Sequence, residues 1–96
     1  MTYELHFKDL ALKEWKKLDA SIQAQLKKKL AERLENPHVP SAKIKGGKDL
    51  YKIKLAQLGY RLVYQVNDNV VTVTVLAVGK RERNSVYITA LNRLDG

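Results

Sequence analysis

Polar and apolar positions alternate across residues 2–7. Tyr3, Leu5 and Phe7 share one side and Glu4 and His6 the other, which predicts a first strand. From Asp9 the period lengthens to that of a helix. Ala11, Leu12, Trp15 and Leu18 line one side, and Lys13, Lys16 and Lys17 occupy the rest. Asp19 or Ser21 is placed to cap a second helix by accepting a bond from a free amide. In that helix Ile22, Leu26, Leu30 and Leu34 recur every four residues. Asn36-Pro37 stops it, because proline disfavours helical geometry in the residue before it. Two helices joined by so short a turn predict a hairpin.

A Pro- and Gly-bearing loop then leads into three strands. Residues 50–56 put Tyr51, Ile53 and Leu55 on one face and Lys52, Lys54 and Ala56 on the other. Gln57-Leu58-Gly59 is a turn. Residues 60–66 group Tyr60, Leu62, Tyr64 and Val66 against Arg61, Val63 and Gln65. Asn67-Asp68-Asn69 is a tight hairpin turn, since Asn and Asp tolerate positive φ. Residues 70–78 are almost all Val and Thr and predict a central strand covered on both faces, ended by Gly79. Asn84 or Ser85 can cap a last helix carrying Val86, Tyr87, Ala90, Leu91 and Leu94. The order βααβββα predicts an α+β fold. It has a small antiparallel sheet (a meander plus one added strand), an N-terminal helical hairpin and a C-terminal helix, with the helices on one face.

At 96 residues the chain fits one domain, 1–96, with one modest core. The absence of cysteine excludes disulfides, thiolate nucleophiles and thiolate metal sites. The apolar runs fall far short of the roughly 20 residues that span a bilayer. The N-terminus has no apolar segment of secretory type, so the expected location is the cytoplasm, with no membrane partner. Charge changes the picture more. The net charge is +8, which points to a polyanionic partner. The excess sits in the middle of the chain, where Lys43, Lys45, Lys48, Lys52, Lys54 and Arg61 face a single acid, Asp49. A second patch is Lys80-Arg81-Glu82-Arg83.

Lys52 and Lys54, two apart on one strand, point the same way. Pairing across the 57–59 turn can bring Arg61 opposite Lys54 or its neighbours. The Lys80-Arg81 loop leaves the following strand, and Tyr87 lies in the first turns of the last helix. One basic face holding Lys52, Lys54, Arg61, Arg81 and Tyr87 is therefore reasonable, although exposed strand lysines also serve as a solvated face against aggregation. Lys27, Lys28 and Lys29 project off the apolar stripe of the second helix. They read as a solvated face or, with Lys43, Lys45, Lys48, Lys80 and Arg83, as contacts to RNA phosphates. There is no Gly-rich phosphate loop and no nucleophile elbow. His6 and His38 read as a satisfied strand residue and an exposed loop residue. No metal site or cofactor is expected. Trp15 reads as core.

The blocks Leu12-Lys13-Glu14-Trp15-Lys16-Lys17-Leu18, Gln25-Leu26-Lys27-Lys28-Lys29-Leu30, Tyr51-Lys52-Ile53-Lys54-Leu55, Gly59-Tyr60-Arg61-Leu62-Val63-Tyr64-Gln65-Val66 and Val78-Gly79-Lys80-Arg81-Glu82-Arg83 resemble the RelE family of bacterial toxin–antitoxin systems. The likeness runs in order along nearly the whole chain and is weaker over 88–96. It implies a ribosome-dependent endoribonuclease that cuts mRNA in the A site of the 70S ribosome beside small-subunit rRNA. It implies neutralisation by a RelB-type antitoxin, with operator DNA bound only through the toxin–antitoxin complex. The family's functional set falls on Lys52, Lys54, Arg61, Arg81 and Tyr87, and Lys45 matches a position that is usually basic. Related toxins carry a Glu and a His as base and acid. No such pair stands in these blocks, which puts the chain with the all-basic branch.

The implied chemistry is attack of a 2′-OH on the adjacent phosphorus, leaving a 2′,3′-cyclic phosphate and a 5′-OH. Arg61 and Lys52 suit the phosphate oxygens. Lys54 is the candidate base, which requires nearby cations to lower its pKa. Arg81 is placed to neutralise or protonate the leaving oxygen, and Tyr87 to stack on a base and to hydrogen-bond near the 2′-OH. The rival readings are a non-catalytic basic RNA-binding module and a module whose basic face holds an acidic antitoxin.

Overall fold

A computed structural model of the chain describes residues 2–45, 48–80 and 85–93. Arg81, Arg83, the candidate cap Asn84 and Leu94 lie outside the described residues. The elements run β1 (Glu4–Phe7), α1 (Asp9–Lys16), α2 (Ala20–Glu35), a 3-10 turn (Pro40–Ala42), β2 (Leu50–Leu55), β3 (Tyr60–Asn67), β4 (Thr72–Lys80) and α3 (Ser85–Asn92). The α+β order is the expected one.

Strand order in the sheet is β1-β4-β3-β2. The meander β2–β3–β4 is antiparallel as expected, with Lys54 opposite Arg61 and Tyr51 opposite Tyr64. The added strand β1 pairs with β4 in parallel, so the whole sheet is mixed. β4 is central along its first half, where β1 and β3 flank it. It also runs later than expected, because the hairpin turn extends to Val71 at φ 52° and Gly79 lies inside the strand. Gly59, at φ 72°, closes the β2–β3 turn in a region that disfavours residues with a Cβ.

The two faces of the sheet carry separate cores. On one, α1 and α2 lay Ala11, Trp15, Ile22, Leu26 and Leu30 over Ile53, Leu62, Tyr64 and Val75. Trp15 is core as expected, its ring 5.4 Å from that of Phe7, whereas Leu12 is exposed. On the other face Val86 and Ala90 of α3 pack on Leu50, Val63, Leu76 and Ala77. This corrects the expectation that all helices share a face. α3 covers the opposite side because the lysine-bearing faces of β2 and β3 also hold apolar Leu50 and Val63, which need a cover of their own. Asp19 does sit at the N-cap of α2, but its side chain makes no capping bond.

Candidate RNA-cleavage site

Strand alternation builds the site. Along β2 the odd residues Tyr51, Ile53 and Leu55 enter the α1/α2 core, so Lys52 and Lys54 emerge on the α3 side. β3 presents Arg61 to the same side, directly opposite Lys54. β2 and β3 contain no acidic residue. Like charges facing each other across a strand pair destabilise the sheet, and packing does not call for three of them here.

α3 supplies the aromatic member. The guanidinium carbon of Arg61 is 5.0 Å from the centre of the Tyr87 ring, and Lys52 Nζ is 5.8 Å from it. Two cations therefore bracket one half-buried ring, a favourable charge–quadrupole arrangement. The Tyr87 hydroxyl is buried and has no hydrogen-bond partner among the described residues. Lys52, Lys54 and Arg61 thus share one face as the alternation predicts, and α3, on the side the pattern did not predict, brings the Tyr87 ring to Lys52 and Arg61. Arg81 belongs to the segment outside the described residues.

The other basic residues lie in several places. Lys80 ends β4 opposite Tyr60, at the Arg61 end of the sheet. Lys27, Lys28 and Lys29 are exposed on α2, behind the sheet. Lys29 also lines a notch of about 370 Å³ with Gln25, Lys54 and the 55–58 turn. Lys43 is bridged to Tyr51 at the outer edge of β2, and Lys45 is exposed just beyond it. Lys48 sits at the far end of β2–β3, beside Asp49 and Asp68.

A second polar cluster was not legible in the pattern. Arg33 of α2 donates to the Tyr64 hydroxyl at 2.9 Å and to the Lys52 carbonyl at 3.1 Å. Tyr64 Oη in turn donates to the Pro37 carbonyl at 2.8 Å. His38, expected as a plain loop residue, bonds through Nδ1 to the Tyr51 hydroxyl and through Nε2 to Asp68, each at 2.9 Å. Tyr3 donates to the same carboxylate at 2.6 Å. Hydrogen bonds from Tyr3 and His38 hold the Asp68 pKa below its ordinary value, and the Tyr3 hydroxyl is raised reciprocally. Burial pushes the Tyr64 hydroxyl up, opposed by Arg33. Polar residues at such sequence distances leave no periodic signal. His6 lies 3.3 Å from Glu4 on the exposed face of β1 and takes no part in either cluster.

No helix among the described residues is long and apolar enough to cross a membrane. Comparison with known proteins gives a consistent result. A family model described as the ParE toxin of the type II toxin–antitoxin system parDE matches residues 5–85. The mRNA interferase toxin RelE of Escherichia coli K12 is 54% identical over 94 residues, covering 98% of this chain and 99% of that protein. The structure of a free E. coli RelE variant superposes with a TM-score of 0.90 at 52% identity, covering 98% of this chain and 99% of that one. The E. coli RelBE toxin–antitoxin complex matches at a TM-score of 0.82 and 56% identity, covering 84% of this chain and 99% of that one. Matched in fold and over nearly its whole sequence to these proteins, the chain belongs to the RelE family of type II toxin–antitoxin toxins.

Proposed function

We propose that the chain, taken as one toxin domain over 1–96, is a cytoplasmic, ribosome-dependent mRNA endoribonuclease that cuts message in the A site and stops translation. A relative that matches it over nearly its full length is named an mRNA interferase. The observation that carries the reading is the convergence of Lys52, Lys54 and Arg61 on one face, with the Tyr87 ring against them. Such a face suits a phosphodiester that gains negative charge in its transition state.

In this mechanism Arg61 grips the phosphate oxygens as a fork and Lys52 as a point charge. Lys54, in its neutral form, takes the proton of the attacking 2′-OH, and Arg81 meets the charge on the leaving 5′ oxygen, which takes up a proton from water. Tyr87 stacks on the base and fixes the sugar for in-line attack. The products are a 2′,3′-cyclic phosphate and a 5′-OH. No residue of the set has an unperturbed pKa near neutrality. The free protein is therefore a slow nuclease, and the ribosome supplies the substrate geometry. Lys27, Lys28, Lys29, Lys43, Lys45, Lys48, Lys80 and Arg83 bind RNA phosphates around the site. A RelB-type antitoxin neutralises the toxin, and the pair binds operator DNA.

Primer extension on ribosome-bound message tests the reading. Cuts should appear with programmed ribosomes holding an empty A site and be nearly absent on the same naked RNA. Rapid cutting of naked RNA at those sites would overturn it.

A further inference from the structure

α3 is short for an element that places a working residue. It has eight residues, and isolated helices below ~12–15 residues are marginal in water. Its fully covered side chains are Val86 and Ala90, a small apolar anchor. Arg93 follows at the next helical spacing, so 86, 90 and 93 form one stripe toward the sheet while Tyr87 flanks it.

Arg93 ends that stripe in a clasp. Its Nη1 donates to Glu14 Oε1 at 2.9 Å and to the Leu76 carbonyl at 2.8 Å, and its Nη2 to Glu14 Oε2 at 3.3 Å. The Val78 amide reaches Glu14 Oε1 at 3.4 Å. β1 pairs with β4 only as far as Val75, so the clasp occupies the edge of β4 that β1 leaves off. It ties α1 on one face of the sheet to α3 on the other. The guanidinium is largely covered, with 17% of its side chain exposed, and it sits at the helix C-terminus, where a cation is favoured. A fork bonded on both prongs fixes rotation as well as position. Rotation of α3 about its axis is the motion that would carry the Tyr87 ring away from Lys52 and Arg61.

We infer that Glu14 and Arg93 are positioning residues for cleavage, holding α3 in the rotation that sets Tyr87 against Lys52 and Arg61. The inference rests on the stacking role proposed for Tyr87. Neither residue touches RNA. They act through α3 from the opposite end of the helix and from the far face of the sheet.

The test is a double-mutant cycle in single-turnover cleavage on saturating programmed ribosomes, with rates expressed per folded molecule. Arg93→Ala should lower the saturated rate roughly tenfold to a hundredfold, the effect of a misplacement of about an ångström. Ribosome affinity should stay within about twofold. Glu14→Gln, which keeps shape and removes charge, should act in the same direction but less. In a Tyr87→Ala background both substitutions should cost less than about twofold, because the ring they position is gone. Amide exchange should quicken in α3 and not in β3. Equal losses in both backgrounds, unchanged rates, or unchanged exchange in α3 would each overturn the inference. A Tyr87→Ala chain as active as its parent would instead overturn the stacking role, and the positioning with it. Exchange in α3 would then report on the clasp alone.

Discussion

The two faces of β2–β3 differ by a single residue step and by everything else. On one face Tyr51 and Tyr64, cross-strand partners, stack at a ring distance of 5.7 Å, and their hydroxyls meet His38, Arg33 and the Pro37 carbonyl. On the other, Lys54 faces Arg61 and Lys52 lies beside them with Tyr87. The tyrosine face mixes donors and acceptors until buried groups are satisfied, which holds the fold together. The lysine face gathers like charges beside one aromatic ring, the arrangement on which the proposed phosphate binding rests. The alternation of a strand is what lets both exist on adjacent residues without sharing a surface.

Separate substitutions should break the two faces apart. Arg61→Ala is expected to lower the saturated cleavage rate by about 10²–10³, the usual cost of one donor to a developing oxyanion. The melting temperature should change little, because relief of the Lys54–Arg61 repulsion offsets loss of the Arg61 contact with the Tyr87 ring. A fall in stability matching the fall in rate would refute the division. Tyr64→Phe should do the reverse. It removes one donor from the Pro37 carbonyl, which still accepts from the Val39 amide, and one acceptor from Arg33, which still donates to the Lys52 carbonyl, costing about 0.5–1.5 kcal/mol. For a chain of this size each kcal/mol lowers the melting temperature by roughly 4–8 °C. The rate per folded molecule should not change.

Two smaller effects sharpen the contrast. Tyr87→Phe removes a hydroxyl that is buried without a partner among the described residues, so stability should not fall, and the ring proposed to stack is kept. Most of the cleavage rate should survive in Phe and be lost in Tyr87→Ala. Equally poor Phe and Ala variants would assign the hydroxyl to proton transfer. The smallest effect is a pH response. Asp68 has a lowered pKa when folded, so its contribution is fully present above its unfolded pKa. It is lost as pH falls through the folded value. Melting curves from pH 6 to pH 2 should be flatter at the acid end in Asp68→Asn than in the parent. Identical acid limbs would remove Asp68 from the network.

Much of this was legible beforehand because a period of two is a rigid rule. Tyr51, Ile53 and Leu55 name their face, and Lys52, Lys54 and Arg61 are then forced to the other. The short turn put Arg61 opposite Lys54 or its neighbours, and the structure selects Lys54. The side taken by α3 did not follow, since a helical stripe reports that it is covered but not by what. Leu50 and Val63 among the lysines were the available signal. His38, Arg33 and the Glu14–Arg93 clasp left none, because polar contacts between distant elements depend on tertiary placement alone.

The parallel pairing of β1 with β4 has a consequence for the order of folding. Glu4 meets Thr72 across most of the chain, whereas β2, β3 and β4 meet through tight turns. Loop closure makes the first contact slow and the others fast. The meander that presents Lys52, Lys54 and Arg61 can therefore form early. β1 locks onto it once the helical hairpin has packed, and the toxin's basic strand face takes shape before the fold that stabilises it is complete.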